Sequence, residues 1–106
     1  MNYQKAHVIR SQAIRESARG QECTMQTPVC THDRATVVWA HSNMQLHGKG
    51  VGRKADDIFG CYACSACHDW YDSSFASRDE KERVFYAAFS RSLRILIDSG
   101  VVSVEA

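Results

Sequence analysis

Apolar residues recur at helical spacing most clearly near the C-terminus. Val84, Phe85, Ala88, Phe89, Leu93, Leu96 and Ile97 fall on one side of a long predicted helix. Asp79 stands where a cap is expected, Glu80 and Glu82 follow in the first turn where the helix dipole favours acids, and Gly100 stops the element. Phe85, Phe89 and Leu93 lie four apart, so they are predicted to stack along the buried face. Val101, Val102 and Val104 form a short apolar tail. Upstream the pattern turns β-like. Thr36-Val37-Val38-Trp39-Ala40-His41 is β-branched and aromatic and predicts one short strand. Ile58-Phe59-Gly60-Cys61-Tyr62-Ala63 predicts a second, with His68 to Tyr71 opening a short helix after it. A glycine-rich basic loop, Gly48 to Lys54, separates the strands. Residues 3 to 19 form a weak polar helix with Ala6, Ile9, Ala13 and Ile14 on one side, ended by Gly20; residues 21 to 34, with Pro28, read as loop. The expected architecture is a small α+β domain over residues 20–106 with a long C-terminal helix, preceded by a polar extension over residues 1–19.

Size changes this picture first. A chain of 106 residues is one domain and buries limited apolar surface. A structural metal is one common remedy. Hydrophobic residues at 44% and charged residues at 24% suit a soluble globule. No apolar run approaches the roughly 20 residues that cross a bilayer. The start, Met1-Asn2-Tyr3-Gln4-Lys5, lacks the apolar core of a signal peptide, so a cytoplasmic location away from membranes is expected. A net charge of +1 argues neither for nor against nucleic acid. Arg10, Arg15 and Arg19 recur near the start, and Lys49, Arg53 and Lys54 cluster in the middle. Such clusters are more often solvated surface than binding sites.

Five cysteines in a cytoplasmic chain read as metal ligands before disulfides, and the odd count weakens a disulfide framework further. Tetrahedral zinc sites pair two ligand-bearing turns, commonly with two residues between cysteines. Cys61, Cys64 and Cys67 offer two overlapping turns of that kind; Cys23 and Cys30 form a longer one containing Pro28. Cys64 and Cys67, immediately before His68, are the preferred pair. The bland alternative is buried free thiols acting as small hydrophobes.

His41 closes the first strand and His68 follows Cys67, while His7, His32 and His47 lie in polar surroundings and are expected to be exposed. A lone histidine at a strand end is more often a hydrogen-bonded bystander than a catalyst. His68 is also a candidate for a fourth zinc ligand in a Cys3His set.

The segments Gly20-Gln21-Glu22-Cys23, Pro28-Val29-Cys30, Val38-Trp39-Ala40-His41 and Ala63-Cys64-Ser65-Ala66-Cys67-His68-Asp69 resemble the YbcO-like family of small phage and prophage nucleases. That family looks like a divergent branch of the HNH, or ββα-metal, endonucleases. The resemblance covers roughly residues 18 to 104 and implies a role for each matched residue. His41 would be the general base on water. His68 would hold a divalent ion, magnesium or manganese, at the scissile phosphate. Cys23, Cys30, Cys64 and Cys67 would bind structural zinc, with Cys61 an extra. Two departures stand out. The wider pattern has an acid before the first histidine, where this chain has Ala40. The middle asparagine lacks a counterpart at its usual spacing, since Asn43 is too close to His41 and Asp57 is a loose match. Asp69 or Asp72 would then supply a carboxylate.

The chemistry is coherent without the name. Phosphodiester hydrolysis needs a base that works near neutral pH, and histidine fits. It also needs a cation at the phosphate. Zinc held by four cysteines is closed and cannot activate water, so its role would be to fix His68 in space. Lys49, Arg53 and Lys54 would touch the DNA backbone without reading sequence. The expectation is a metal-dependent DNA endonuclease in phage recombination or DNA processing. The rivals are a non-catalytic zinc-containing DNA-binding module and an interaction adaptor.

Overall fold

The computed structural model describes residues 8–105. Their elements are α1 (Gln12–Glu16), β1 (Val38–His41), β2 (Gly60–Ala63), α2 (Ser65–Ser73) and α3 (Arg78–Asp98), with 3-10 turns at Arg34–Thr36 and Gln45–His47. The result is a small α+β fold in which a two-stranded sheet is flanked by helices. No described helix is long and apolar enough to cross a membrane.

β1 and β2 pair antiparallel, with Trp39 opposite Tyr62 and His41 opposite Gly60. Side chains alternate across a strand. Trp39, His41, Gly60 and Tyr62 therefore share one face, and Ala40 and Cys61 share the other. The Trp39 and Tyr62 rings meet edge-on, with centroids 5.2 Å apart. Gly60 has to be glycine, because a Cβ there would run into the Trp39 indole. α1 packs beside this face: the Ser17 and Tyr62 hydroxyls lie 2.8 Å apart, and Ile14 and Ala18 are buried.

The free edge of β2 is closed by side chains rather than by a third strand. The Tyr62 N–H reaches the hydroxyls of Thr24 at 3.2 Å and Ser92 at 3.1 Å. The Tyr62 carbonyl accepts from the Thr24 N–H at 2.8 Å. A buried backbone group left unpaired is costly, so these hydroxyls explain why a serine sits on the buried face of α3.

Three sequence expectations change. The cap of α3 is Ser77, whose hydroxyl accepts from the Glu80 N–H at 3.1 Å, and Asp79 lies inside the first turn. The buried stripe of α3 is Phe85, Ala88, Ser92 and Leu96, so Phe89 and Leu93 sit half-buried on its flank and Ile97 is exposed. The helix turns because Ser92 must meet the edge of β2 and Phe85 stacks on Tyr71 at 5.5 Å. Finally, the N-terminal helix is shorter than expected, and Ile14 and Ala18 are buried. Of the helix expected over residues 3–19, residues 12–16 are helical, while residues 3–7, with Ala6 and His7, lie outside the described residues.

Phe85 has no exposed surface. Phe85→Ala should lower stability by about 3–5 kcal/mol in denaturant unfolding. Phe89→Ala should cost clearly less, and an equal loss would place the core face where the sequence pattern put it.

Candidate active site and metal centre

Two loops deliver four sulfurs to one place. Cys23 and Cys30 come from the loop before β1; Cys64 caps α2 and Cys67 lies in its first turn. Their sulfurs all lie within 4.8 Å of one another, with Cys30 and Cys64 at 3.9 Å. Zinc–sulfur bonds of about 2.3 Å in a tetrahedron require sulfur–sulfur edges of about 3.8 Å. The cluster therefore fits a four-coordinate ion such as zinc in both donor chemistry and spacing. Cys64 stands at the N-cap position of α2. Burial opposes ionisation of Cys64, but N–H groups of Thr31 and Cys67 point at its sulfur and bring its pKa down to about 6. The Thr27 hydroxyl lies 3.1 Å from the Cys67 sulfur. Cys61 stands outside the cluster; it is fully buried, and burial pushes its thiol pKa far up, so it packs as a neutral hydrophobe. His32 reaches the Cys30 sulfur at 3.7 Å from a left-handed backbone position.

His41 ends β1 with its Nε2 2.7 Å from Asp57 Oδ1. Asp57 is 1% exposed, and its other oxygen accepts from the Ser11 N–H at 2.6 Å and from Arg15 at 2.5 Å. Burial alone would raise the Asp57 pKa, but hydrogen bonds from His41, Ser11 and Arg15 together hold it below the usual carboxylate range.

His68 lies one residue beyond Cys67, and its N–H bonds to the Cys64 carbonyl at 2.9 Å. Its Nε2 is 3.2 Å from Asp72, one turn along α2. That hydrogen bond raises the His68 pKa and lowers that of Asp72. Asn43, two residues past His41, donates to the other Asp72 oxygen at 2.9 Å, and its N–H bonds the Tyr71 hydroxyl at 2.9 Å. The two histidines are thus held by separate carboxylates, with Asn43 linking the end of β1 to α2. Asp69 is exposed and acts on His68 only through its charge. Lys49, Arg53 and Lys54 are exposed. Lys49 and Lys54 are near enough for their charges to act on Asp72 and His68. A groove of about 750 Å³, lined by Asn43, Met44, Tyr71, Asp72, Arg78 and Lys81 among others, opens beside Asp72, and neither His41 nor His68 lines it. His47 is not exposed as expected: it is 7% exposed, stacks on Phe59 at 4.2 Å and meets the buried Ser42 hydroxyl at 2.6 Å. Burial lowers its pKa.

The family described as "Putative nuclease YbcO" matches residues 12–101. This chain belongs to the YbcO family. "Putative nuclease YbcO" of Escherichia coli (strain K12) is 34% identical over 93 residues, covering 84% of this chain and 95% of the relative. "Putative nuclease ybcO" of Enterobacteria phage 82 matches to the same extent. A solved structure titled "Structure of a putative bacteriophage protein from Escherichia coli str. K-12 substr. MG1655" superposes with a TM-score of 0.65 at 30% identity, covering 83% of this chain and all of that one. The YbcO match takes in α1 as well as α3.

Asn43 and Asp57 looked misplaced by spacing alone, yet Asp57 is the carboxylate paired with His41 and Asn43 bonds the carboxylate paired with His68. Arg15 looked like a solvated face. The signal that marks it is the helical spacing from Ser11, which puts both on the turn that meets Asp57.

Cys64→Ser should strip bound zinc and lower the melting temperature far more than Cys61→Ser, read by metal analysis and calorimetry. Equal damage would place Cys61 in the cluster. The lowered pKa makes Asp57 stabilising above its ordinary value and progressively less so as pH falls below about 4. Asp57→Asn should therefore flatten the acid limb of stability and cost about 1–3 kcal/mol at neutral pH, as its buried donors lose an anionic acceptor.

Proposed function

We propose that this protein is a metal-dependent DNA endonuclease of the ββα-metal, HNH-like type, stapled by a structural zinc on Cys23, Cys30, Cys64 and Cys67. The observation that carries the reading is the order of parts: a strand ending in His41, an antiparallel strand, then a cysteine-led helix bearing His68. The nuclease name of the family and its relatives supports it. One relative comes from Enterobacteria phage 82, and the proposal extends to a role in phage DNA recombination or processing in the cytoplasm of the host cell.

In this reading the His41 imidazole takes a proton from water, and the resulting hydroxide attacks phosphorus in line with the leaving oxygen. The P–O bond breaks and the leaving oxygen is protonated from solvent. His68 and Asp72 would hold a magnesium or manganese ion, with exposed Asp69 as a further carboxylate. When bound, that ion neutralises charge developing on the phosphate oxygens. Two protein ligands suffice for such an ion, because water and phosphate complete its shell. Asn43 keeps Asp72 oriented. Lys49, Arg53 and Lys54 contact backbone phosphates, so binding should weaken as salt rises.

A second reading, a non-catalytic zinc-containing DNA-binding module or interaction adaptor, is favoured by one observation. Ala40 presents a fully buried methyl group where the wider pattern carries an acid.

The test is cleavage of single-stranded and duplex DNA by zinc-loaded protein, with and without magnesium or manganese. His41→Ala should lower the rate by roughly 10²–10⁴-fold while leaving zinc content and DNA affinity unchanged. His68→Ala should weaken divalent-ion binding as well as cutting. Absence of cutting under every condition, with salt-sensitive DNA binding retained, would replace the nuclease with the binding module.

A further inference from the structure

We infer that Asp57 is the positioning residue for His41, and that the N-terminal helix α1 is part of the catalytic apparatus because it holds Asp57 in place. The kinetic side of this inference rests on the nuclease reading; the structural side does not.

The two oxygens of Asp57 divide the work. Oδ1 faces His41 Nε2 at 2.7 Å, while Oδ2 is occupied by the Ser11 N–H and the Arg15 guanidinium at the start of α1. Arg10 approaches Oδ1 at 3.8 Å and anchors itself on the carbonyls of Lys54 and Ala55. The backbone is pinned as well: the Asp57 carbonyl accepts from the Trp39 indole at 2.7 Å, and the Asp57 N–H donates to the Ile9 carbonyl at 2.9 Å. Trp39 lies two residues before His41 on the same strand face. The carboxylate therefore cannot turn away from His41 without breaking contacts from two other segments.

The chemical consequence is a fixed tautomer. A neutral imidazole carries one N–H donor and one acceptor nitrogen. An ionised carboxylate only accepts, so the proton sits on Nε2 and the lone pair of Nδ1 is left free. Nδ1 is then the atom that takes the proton from water, and the imidazolium formed is stabilised by the adjacent anion. The His41 side chain keeps 15% of its surface exposed, so the ring is oriented from behind yet still meets solvent. A merely structural ion pair would not need the histidine. Arg15 and Ser11 already satisfy one oxygen, and the second is spent on a ring that ends a strand.

The experiment uses full-length, zinc-loaded protein with 15N-labelled histidine. Ring-nitrogen shifts at a pH where His41 is neutral should report the Nε2–H tautomer in the wild type. Asp57→Asn should lose that preference, because an amide can donate as well as accept. In the same variant kcat should fall roughly 10²-fold, within the range a positioned base supplies, with KM and zinc content unchanged. Arg15→Gln should move both readouts in the same direction by less. If Asp57→Asn does not fold, the wild-type tautomer and Arg15→Gln decide. An Nδ1–H tautomer in the wild type, or tautomer and kcat unmoved by the folded variants, overturns the inference. A wild-type protein that cuts no DNA but shows the expected tautomer response would sink the nuclease reading and leave the Asp57–His41 relation standing.

Discussion

Four cysteine sulfurs within 4.8 Å of one another are the constraint on which the rest of the chain depends. Thiolates that close repel unless a cation or protons lie between them, so this contact needs a partner to be stable. Meeting it ties the loop before β1 to the start of α2 and encloses the whole hairpin between the two pairs. The cluster also adjoins His68 directly. The carbonyl of Cys64 accepts the N–H of His68 at 2.9 Å, so the backbone of that histidine is tied to one member of the cluster.

The two histidine–carboxylate pairs are chemically alike but energetically different. Asp57 is almost wholly buried and takes bonds from Ser11, Arg15 and His41. Removing a partner there strands a desolvated group, which is expensive. Asp72 and His68 are about half exposed, and a pair in that setting contributes little to stability. The buried pair suits an orienting role in which nothing should move. The open pair suits a place where an ion and a phosphate can arrive.

Much of this was legible along the chain. The hairpin, the two helices after it and the cysteine turns carry local signals: β-branched runs, helical spacing and ligand spacing. Strand and helix ends moved by a few residues, because hydrogen bonds to distant groups decide them. What stayed hidden were long-range pairings. Arg15 and Asp57 are 42 positions apart, and nothing near either residue indicates the other. Ser92 reads as an interruption of an apolar face until the unpaired N–H of Tyr62, 30 positions earlier, is seen to need it. His47 sits among polar neighbours in sequence but under Phe59 in space. Periodicity reports which side of an element is buried on average. It does not report which polar atom on that side has a partner waiting.

The hydroxyls that meet Tyr62 also bear on how copies of this protein behave toward each other. An open strand edge is a template for another chain, and proteins blunt such edges with charge, proline or a covering element. Here Thr24 and Ser92 occupy the backbone groups of Tyr62, with α3 lying over them. A two-stranded sheet this short would otherwise be prone to grow by adding a strand. Using serine and threonine for the purpose ends the sheet at a definite width without enlarging the domain. Loss of both hydroxyls would first appear as self-association during refolding, before any change at the histidines.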